Sequence, residues 1–324
     1  MMDKCIKSYL YCSSNVEAKL RSTSGAAFYD FARGALASGY YVCGCAWDKQ
    51  LVAKHIIGQD SIALQQMQGS KYVQSDMGEV YREILSLLKA GNKVLFSGTP
   101  CQAIGIGKLA EKVHKRENLL TVAVICHGVP SPLAWESYKQ WSNARENDVL
   151  QDVNFRDKSC DGYKKQYTRY IYQSGKNICV PSYLPTNKYM EAGIVYNLSL
   201  RPSCAACRAK GCSNYIDVIM GDWYAEYKDE GSLGMSCVCT YTAKGDKYAH
   251  EYLSGLKSID YTKIVRQNSF IEKSVVLGVQ RNKFFASVRK EKFWDNVESL
   301  YPLKYPLKKF LVKTGVYDWL KGRK

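Results

Sequence analysis

Three places in the chain put a thiol where it can act. The stretch Val94-Leu95-Phe96-Ser97-Gly98-Thr99-Pro100-Cys101-Gln102 is a short apolar strand running into a Gly-Thr-Pro turn that delivers Cys101. Leu119 to Ile125 repeats the device and ends in Cys126-His127-Gly128-Val129-Pro130-Ser131-Pro132. Arg201-Pro202-Ser203-Cys204-Ala205-Ala206-Cys207 holds a C-x-x-C pair approached through a proline, and Cys212 follows five residues on. Strand ends followed by Gly/Pro turns are where α/β proteins expose reactive groups. C-x-x-C spacing lets two thiolates chelate one metal or two corners of a cluster. Parallel strands of a strand–helix–strand unit finish at the same sheet edge, so Cys101 and Cys126 are expected to be neighbours. With Cys204 and Cys207 they would complete a four-thiolate site. Such a site takes structural zinc or an iron–sulfur cluster, and spacing alone does not separate the two. Ligands that arrive singly from distant strand ends are more typical of a cofactor in an enzyme core than of paired zinc knuckles. His127 reads as a base, an alternative ligand or a polar loop histidine.

The elements around these cysteines alternate between strand and helix. Ser22-Thr23-Ser24-Gly25 precedes a helical pattern from Ala26 to Ser38; such a turn serves as an N-cap or as a phosphate cradle. Tyr40 to Trp47 is expected as a strand in which Cys43 and Cys45 are core residues, with Leu51 to Ile57 as its hairpin partner. Gly69 to Ser75 is a polar loop carrying Lys71, ahead of a helix from Met77 to Ala90. Helices are expected over Ala103 to Lys115 and Leu133 to Arg145. From Val153 the texture turns β-rich: a hairpin spans Gln166 to Ser182, and strands cover Tyr215 to Met220 and Ser236 to Tyr241, where Cys237 and Cys239 read as buried. The remainder is mostly helical, with Phe284, Phe285 and Trp294 as aromatic anchors. The fold class is therefore α/β, mixed α+β. It divides into an N-terminal part (1–90), whose Gly69–Ser75 loop would suit a flavin or nucleotide phosphate, a core (91–260) and a helical C-terminal extension with a basic tail (261–324).

Composition narrows the classes. The chain has 324 residues, 46% of them hydrophobic and 23% charged, and no apolar run long enough to span a membrane as a helix. The N-terminus leads into Tyr and Ser without a long apolar stretch, so the expected location is the cytoplasm. There, thirteen cysteines argue for metal ligation, catalysis or burial over disulfides. A formal charge of +16 implies a polyanionic partner: nucleic acid, a phosphorylated cofactor, an acidic electron carrier or a membrane face. No nucleic-acid-binding signature accompanies it, so nucleic acid is not expected. The last 24 residues carry seven Lys or Arg against one Asp, interleaved with Leu, Phe and Trp. Such a tail suits a membrane surface or an acidic partner, or docks on its own domain.

Taken in order, these motifs resemble the coenzyme F420 hydrogenase/dehydrogenase beta subunit family. The likeness rests on the two strand–turn–cysteine stretches, Phe155-Arg156-Asp157-Lys158 and the C-x-x-C pair. It also takes in Ser22 to Phe28, Gly69 to Ser75 and Asp217 to Asp222, and so spans roughly residues 15 to 290. The resemblance implies an oxidoreductase subunit that binds FAD and a [4Fe–4S] cluster and reduces a deazaflavin or another small molecule. Many bacterial members lie beside surface-polysaccharide genes. By position, Cys101, Cys126, Cys204 and Cys207 fall in the cluster motifs. Ser24, Gly25, Ser70, Lys71, Tyr72, Thr99, Gln102 and Asp222 fall in stretches expected to line the flavin. The family's usual Ser-Gly-Gly is Ser24-Gly25-Ala26 here, and its Gly-Asp-Phe-Trp-Gly is Gly221-Asp222-Trp223-Tyr224-Ala225. Both lose a glycine where a cofactor approaches the backbone. The ferredoxin-like N-terminal segment of many bacterial relatives has no counterpart, so electrons are expected from a separate ferredoxin-like donor. The competing expectation is a non-catalytic protein whose cysteines hold zinc and whose charge engages a polyanion.

Overall fold

The computed structural model describes residues 5–159, 166–182, 186–211, 215–224 and 233–314. Cys160, Cys212, Ala225 and the last ten residues of the basic tail lie outside them. The strands are β1 (Lys7–Tyr11), β2 (Tyr40–Trp47), β3 (Ala53–Gly58), β4 (Lys93–Gly98), β5 (Leu119–Val124), β6 (Leu150–Asp157), β7 (Tyr167–Tyr172), β8 (Asn177–Pro181), β9 (Val218–Trp223), β10 (Met235–Thr240) and β11 (Lys257–Ser258). Eight of them form one mixed sheet in the order β11-β1-β10-β9-β5-β4-β2-β3, and β6-β7-β8 form a small antiparallel sheet.

The centre of the large sheet is parallel, with β2, β4, β5 and β9 side by side, and its edges are antiparallel. Val94, Leu95 and Phe96 of β4 are all fully buried because helices cover both faces, which is why these strands read as unbroken apolar runs. Helices Val80–Lys89 and Pro100–Lys112 pack on one face around Ile84, Leu88 and Ile106. Helices Ala27–Ala37 and Ala243–Tyr252 pack on the other around Phe31 and Ala35.

Residues 1–90 and 91–260 share this sheet, since β2 hydrogen-bonds directly to β4. The segment from 261 is likewise divided. Ile264 and Ile271 enter the core of the large sheet, whereas Phe284, Trp294 and Tyr305 pack with the small sheet and helix Pro132–Glu146. Trp294 sits edge-on to Tyr138 at 5.1 Å and to Phe284 at 5.8 Å, and its Nε1–H donates to Ser137 Oγ at 3.0 Å. Edge-to-face pairs add about 0.5–1.5 kcal/mol each beyond the area they bury, so this stretch is fastened to the body. Cys43, Cys237 and Cys239 are fully buried core residues. No helix among the described residues is long and apolar enough to cross a membrane.

Candidate active site

The carboxyl ends of β2, β4, β5 and β9 open into one cavity of ≈ 510 Å³. Ligands of open α/β sheets bind at this edge, because the strand ends are rigid and the following turns expose backbone groups. Cys101 and Cys126 line the cavity. The turn after β4 differs from expectation: Cys101 lies inside the first turn of helix Pro100–Lys112, which starts three residues earlier than the apolar spacing implied. Proline at the first helical position and a Thr99/Gln102 capping box cause the early start. Gln102 Oε1 accepts from Thr99 N–H at 3.0 Å and from Thr99 Oγ1 at 2.9 Å, and Nε2 donates to Ser75 Oγ and Met77 Sδ. The Gln102 amide thus holds the turn together, while Thr99 Oγ1 sits 3.2 Å from Cys101 Sγ.

The turn after β5 is zipped to the C-x-x-C segment. Arg201 N–H donates to Val129 O at 3.0 Å, and Pro130 bridges Leu200. A Cβ built on Gly128 would lie 3.1 Å from Leu200 Cδ1, tighter than an ordinary contact, so glycine eases the approach of the two loops. Burial pushes the Cys126 thiol up to about 12; Lys210 opposes the shift, while Cys101, Cys204 and Cys207 add to it. All four thiols therefore share one neighbourhood. Coordination to a metal would remove their protons outright. Among the described residues no three His, Cys, Asp or Glu side chains are drawn together as a lone ion requires. Lys210 Nζ donates to the Cys126 and Phe270 carbonyls and places a positive charge beside the thiols.

Ser24, Ser70, Lys71, Tyr72, Thr99, Gln102 and Asp222 all line the same cavity. Thr23 Oγ1 lies 2.8 Å from Ser70 Oγ and accepts from Ser70 N–H at 3.1 Å, joining the two hydroxyl-rich loops. Lys71 belongs to a helix end of the opposite kind from the one expected. Its ammonium donates to the Gln66 and Gln68 carbonyls and so caps the C-terminus of helix Ser61–Met67. Burial lowers it to about 8, offset by Cys45 and Asp152. Gly25 is not part of the wall. A Cβ there would meet Tyr11 O at 2.6 Å and Ser236 N at 2.7 Å, so its glycine serves the packing of the loop against β1 and β10. Next to it, Ala26 adopts φ 64°, and no side chain caps the helix that starts at Ala27.

Several residues at the wall gain their partners only in the folded chain. Arg156, 4% exposed, donates through Nη2 to Asp222 Oδ2 at 2.6 Å and through Nη1 to the Tyr72 hydroxyl at 3.0 Å. Behind the wall, Lys158 donates to the carbonyls of Lys19, Ser24 and Leu233 at 2.6–2.7 Å, and burial lowers it to about 7. His55 also joins the wall. The Thr-x-x-Gln capping signature was legible, and Arg156 and Lys158 lie in a stretch that carries the family resemblance; nothing local to the sequence marks His55. Asp217, inside the resembling stretch, serves structure instead. It is buried at the start of β9 and accepts from Thr121, Arg116 and Thr242.

Residues 91–259 match the family described as the C terminus of the coenzyme F420 hydrogenase/dehydrogenase beta subunit. The chain belongs to this family. It is thus a beta-subunit-like oxidoreductase of the hydrogenase/dehydrogenase type. No curated protein sequence matches the chain. In three dimensions this beta-subunit-like protein is similar to a chain of the F420-reducing [NiFe] hydrogenase complex from Methanosarcina barkeri, studied by xenon derivatization. The TM-score is 0.53 at 15% identity, covering 92% of each chain. That likeness concerns the fold and extends it beyond residues 91–259 to nearly the whole chain.

Proposed function

We propose that the chain is a flavin- and iron–sulfur-dependent oxidoreductase. Electrons pass from a ferredoxin-like donor through a [4Fe–4S] cluster on Cys101, Cys126, Cys204 and Cys207, then through FAD, to a small-molecule acceptor. The acceptor is of the deazaflavin or surface-polysaccharide-intermediate class, and the chain works in the cytoplasm. One observation carries the reading: a single cavity is lined both by Cys101 and Cys126 and by the loops bearing Ser24, Ser70, Lys71 and Tyr72. Thiol ligands and a nucleotide-sized space in direct contact suit a pair of cofactors that exchange electrons.

When bound, the cluster supplies single electrons and the flavin gathers them for two-electron chemistry. The chain's own residues prepare the site. The uncapped helix N-terminus at Ala27 and Phe28 offers backbone N–H groups to an anion. Lys71 keeps one of its three protons beyond the two carbonyls it caps. Arg156 holds Tyr72 and Asp222 against each other, which fixes one wall of the cavity. Lys210, beside Cys126, favours negative charge on that sulfur. The net charge of +16 complements an acidic donor.

Anaerobic purification tests this reading. A brown protein with iron, acid-labile sulfide and a flavin spectrum supports it, and reduced ferredoxin with a panel of acceptors then identifies the substrate by flavin reoxidation. A colourless protein that retains zinc overturns it in favour of a non-catalytic zinc–cysteine protein with a polyanionic partner.

A further inference from the structure

His55 lies on β3, opposite Cys45 of β2, and is 5% exposed. Its Nε2 is 3.1 Å from the carbonyl oxygen of Ser97. A carbonyl only accepts, so Nε2 carries the proton, and in the neutral ring Nδ1 is then a bare acceptor. The ring stacks on Phe96 with centroids 5.4 Å apart and planes 8° from parallel, so it cannot turn without losing both contacts. Nδ1 is buried and has no hydrogen-bond partner among the described residues. A buried acceptor left unmet costs about 1–3 kcal/mol, and native proteins keep few of them. Burial holds the ring neutral, and the neighbouring Lys71 ammonium opposes its protonation further. An acceptor with a fixed tautomer therefore stands in the cavity wall beside a lysine that has a proton to give.

We infer that His55 Nδ1 and Lys71 Nζ together recognise a heterocyclic imide edge, His55 accepting from the ring N–H and Lys71 donating to the carbonyl next to it. The inference rests on the flavin reading of the cavity. The isoalloxazine ring carries one such edge, a ring N–H between two carbonyls, whereas the adenine at the other end of FAD carries none. It follows that the isoalloxazine end occupies the part of the cavity under β2 and β3. A purely structural role for His55, as a flat ring on Phe96, would leave recognition of that N–H unchanged.

The test compares FAD with FAD methylated on the ring nitrogen between the two carbonyls, each titrated into flavin-stripped protein by fluorescence quenching. Wild type is expected to prefer FAD by about tenfold or more, the loss of one buried hydrogen bond. In His55→Ala, FAD binding weakens by about tenfold and the preference falls to about twofold or less. His55→Gln, whose amide oxygen also accepts, recovers part of both. Equal binding of the two flavins by wild type, which needs no variant to fold, overturns the inference and leaves the flavin reading standing; so does an undiminished preference in His55→Ala. Failure of wild type to bind either flavin overturns the flavin reading and the inference with it.

Discussion

Arg156 Nη2 donates to Asp222 Oδ2 at 2.6 Å, tying β6 of the small sheet to the carboxyl end of β9 in the large one. The pair crosses between the two sheets at the cavity wall, so the shape of the cavity depends on it.

Breaking it from one side should be costly. Arg156→Met leaves a largely buried carboxylate without its cation, and a loss of about 3 kcal/mol is expected in urea unfolding. Arg156→Met combined with Asp222→Leu should recover most of that loss, because two apolar groups leave no uncompensated charge. An additive double variant would mean the two residues act independently.

Two adjacent positions should respond in opposite directions. Ala26 is held at φ 64°, a conformation glycine adopts without strain, so Ala26→Gly should stabilise by about 1 kcal/mol and raise Tm by about 2–3 °C. At Gly25 an added Cβ meets backbone atoms at 2.6 and 2.7 Å, so Gly25→Ala should cost about 2 kcal/mol. Calorimetry of the two variants side by side checks both signs.

Iron content separates the proposed ligands from the core cysteines. Cys204→Ser should lose iron and acid-labile sulfide, whereas Cys239→Ser, fully buried on β10, should retain them. Equal iron in both proteins would refute the ligand set.

Acid sensitivity should carry a contribution from His55. Burial lowers its folded pKa from 6.5 to about 4. Above pH 6.5 the ring is neutral in both states and contributes no pH dependence. As pH falls from 6.5 towards 4 the unfolded chain takes up a proton that the folded one refuses, so stability drops by up to about 3 kcal/mol. Unfolding free energies of wild type and His55→Gln at pH 7.5 and 4.5 should show a shallower decline in the variant. Parallel curves would contradict a buried neutral histidine.

That Cys101 and Cys126 end up as neighbours was legible because it depends on local chemistry and simple topology. A buried parallel strand reads as an apolar run, Gly-Thr-Pro reads as a turn, and successive parallel strands must end at one edge, so Cys101 and Cys126 could be paired from the sequence. The start of the Cys101 helix was written in Thr99 and Gln102 as well, though apolar spacing alone placed it later. The continuity of the large sheet across residue 90 could not be read in this way, because the pairing of β2 with β4 joins segments about fifty residues apart. The same holds for the site's electrostatics. Arg156 meets Asp222 across 66 positions, Lys158 reaches Ser24 across 134, and His55 gains its fixed tautomer from Ser97 across 42. Sequence determined which groups could do chemistry and which strand ends would carry them. Only the tertiary structure decided which buried charges and acceptors face one another, because burial and partner distance, which set their protonation and energy, are properties of the packed chain.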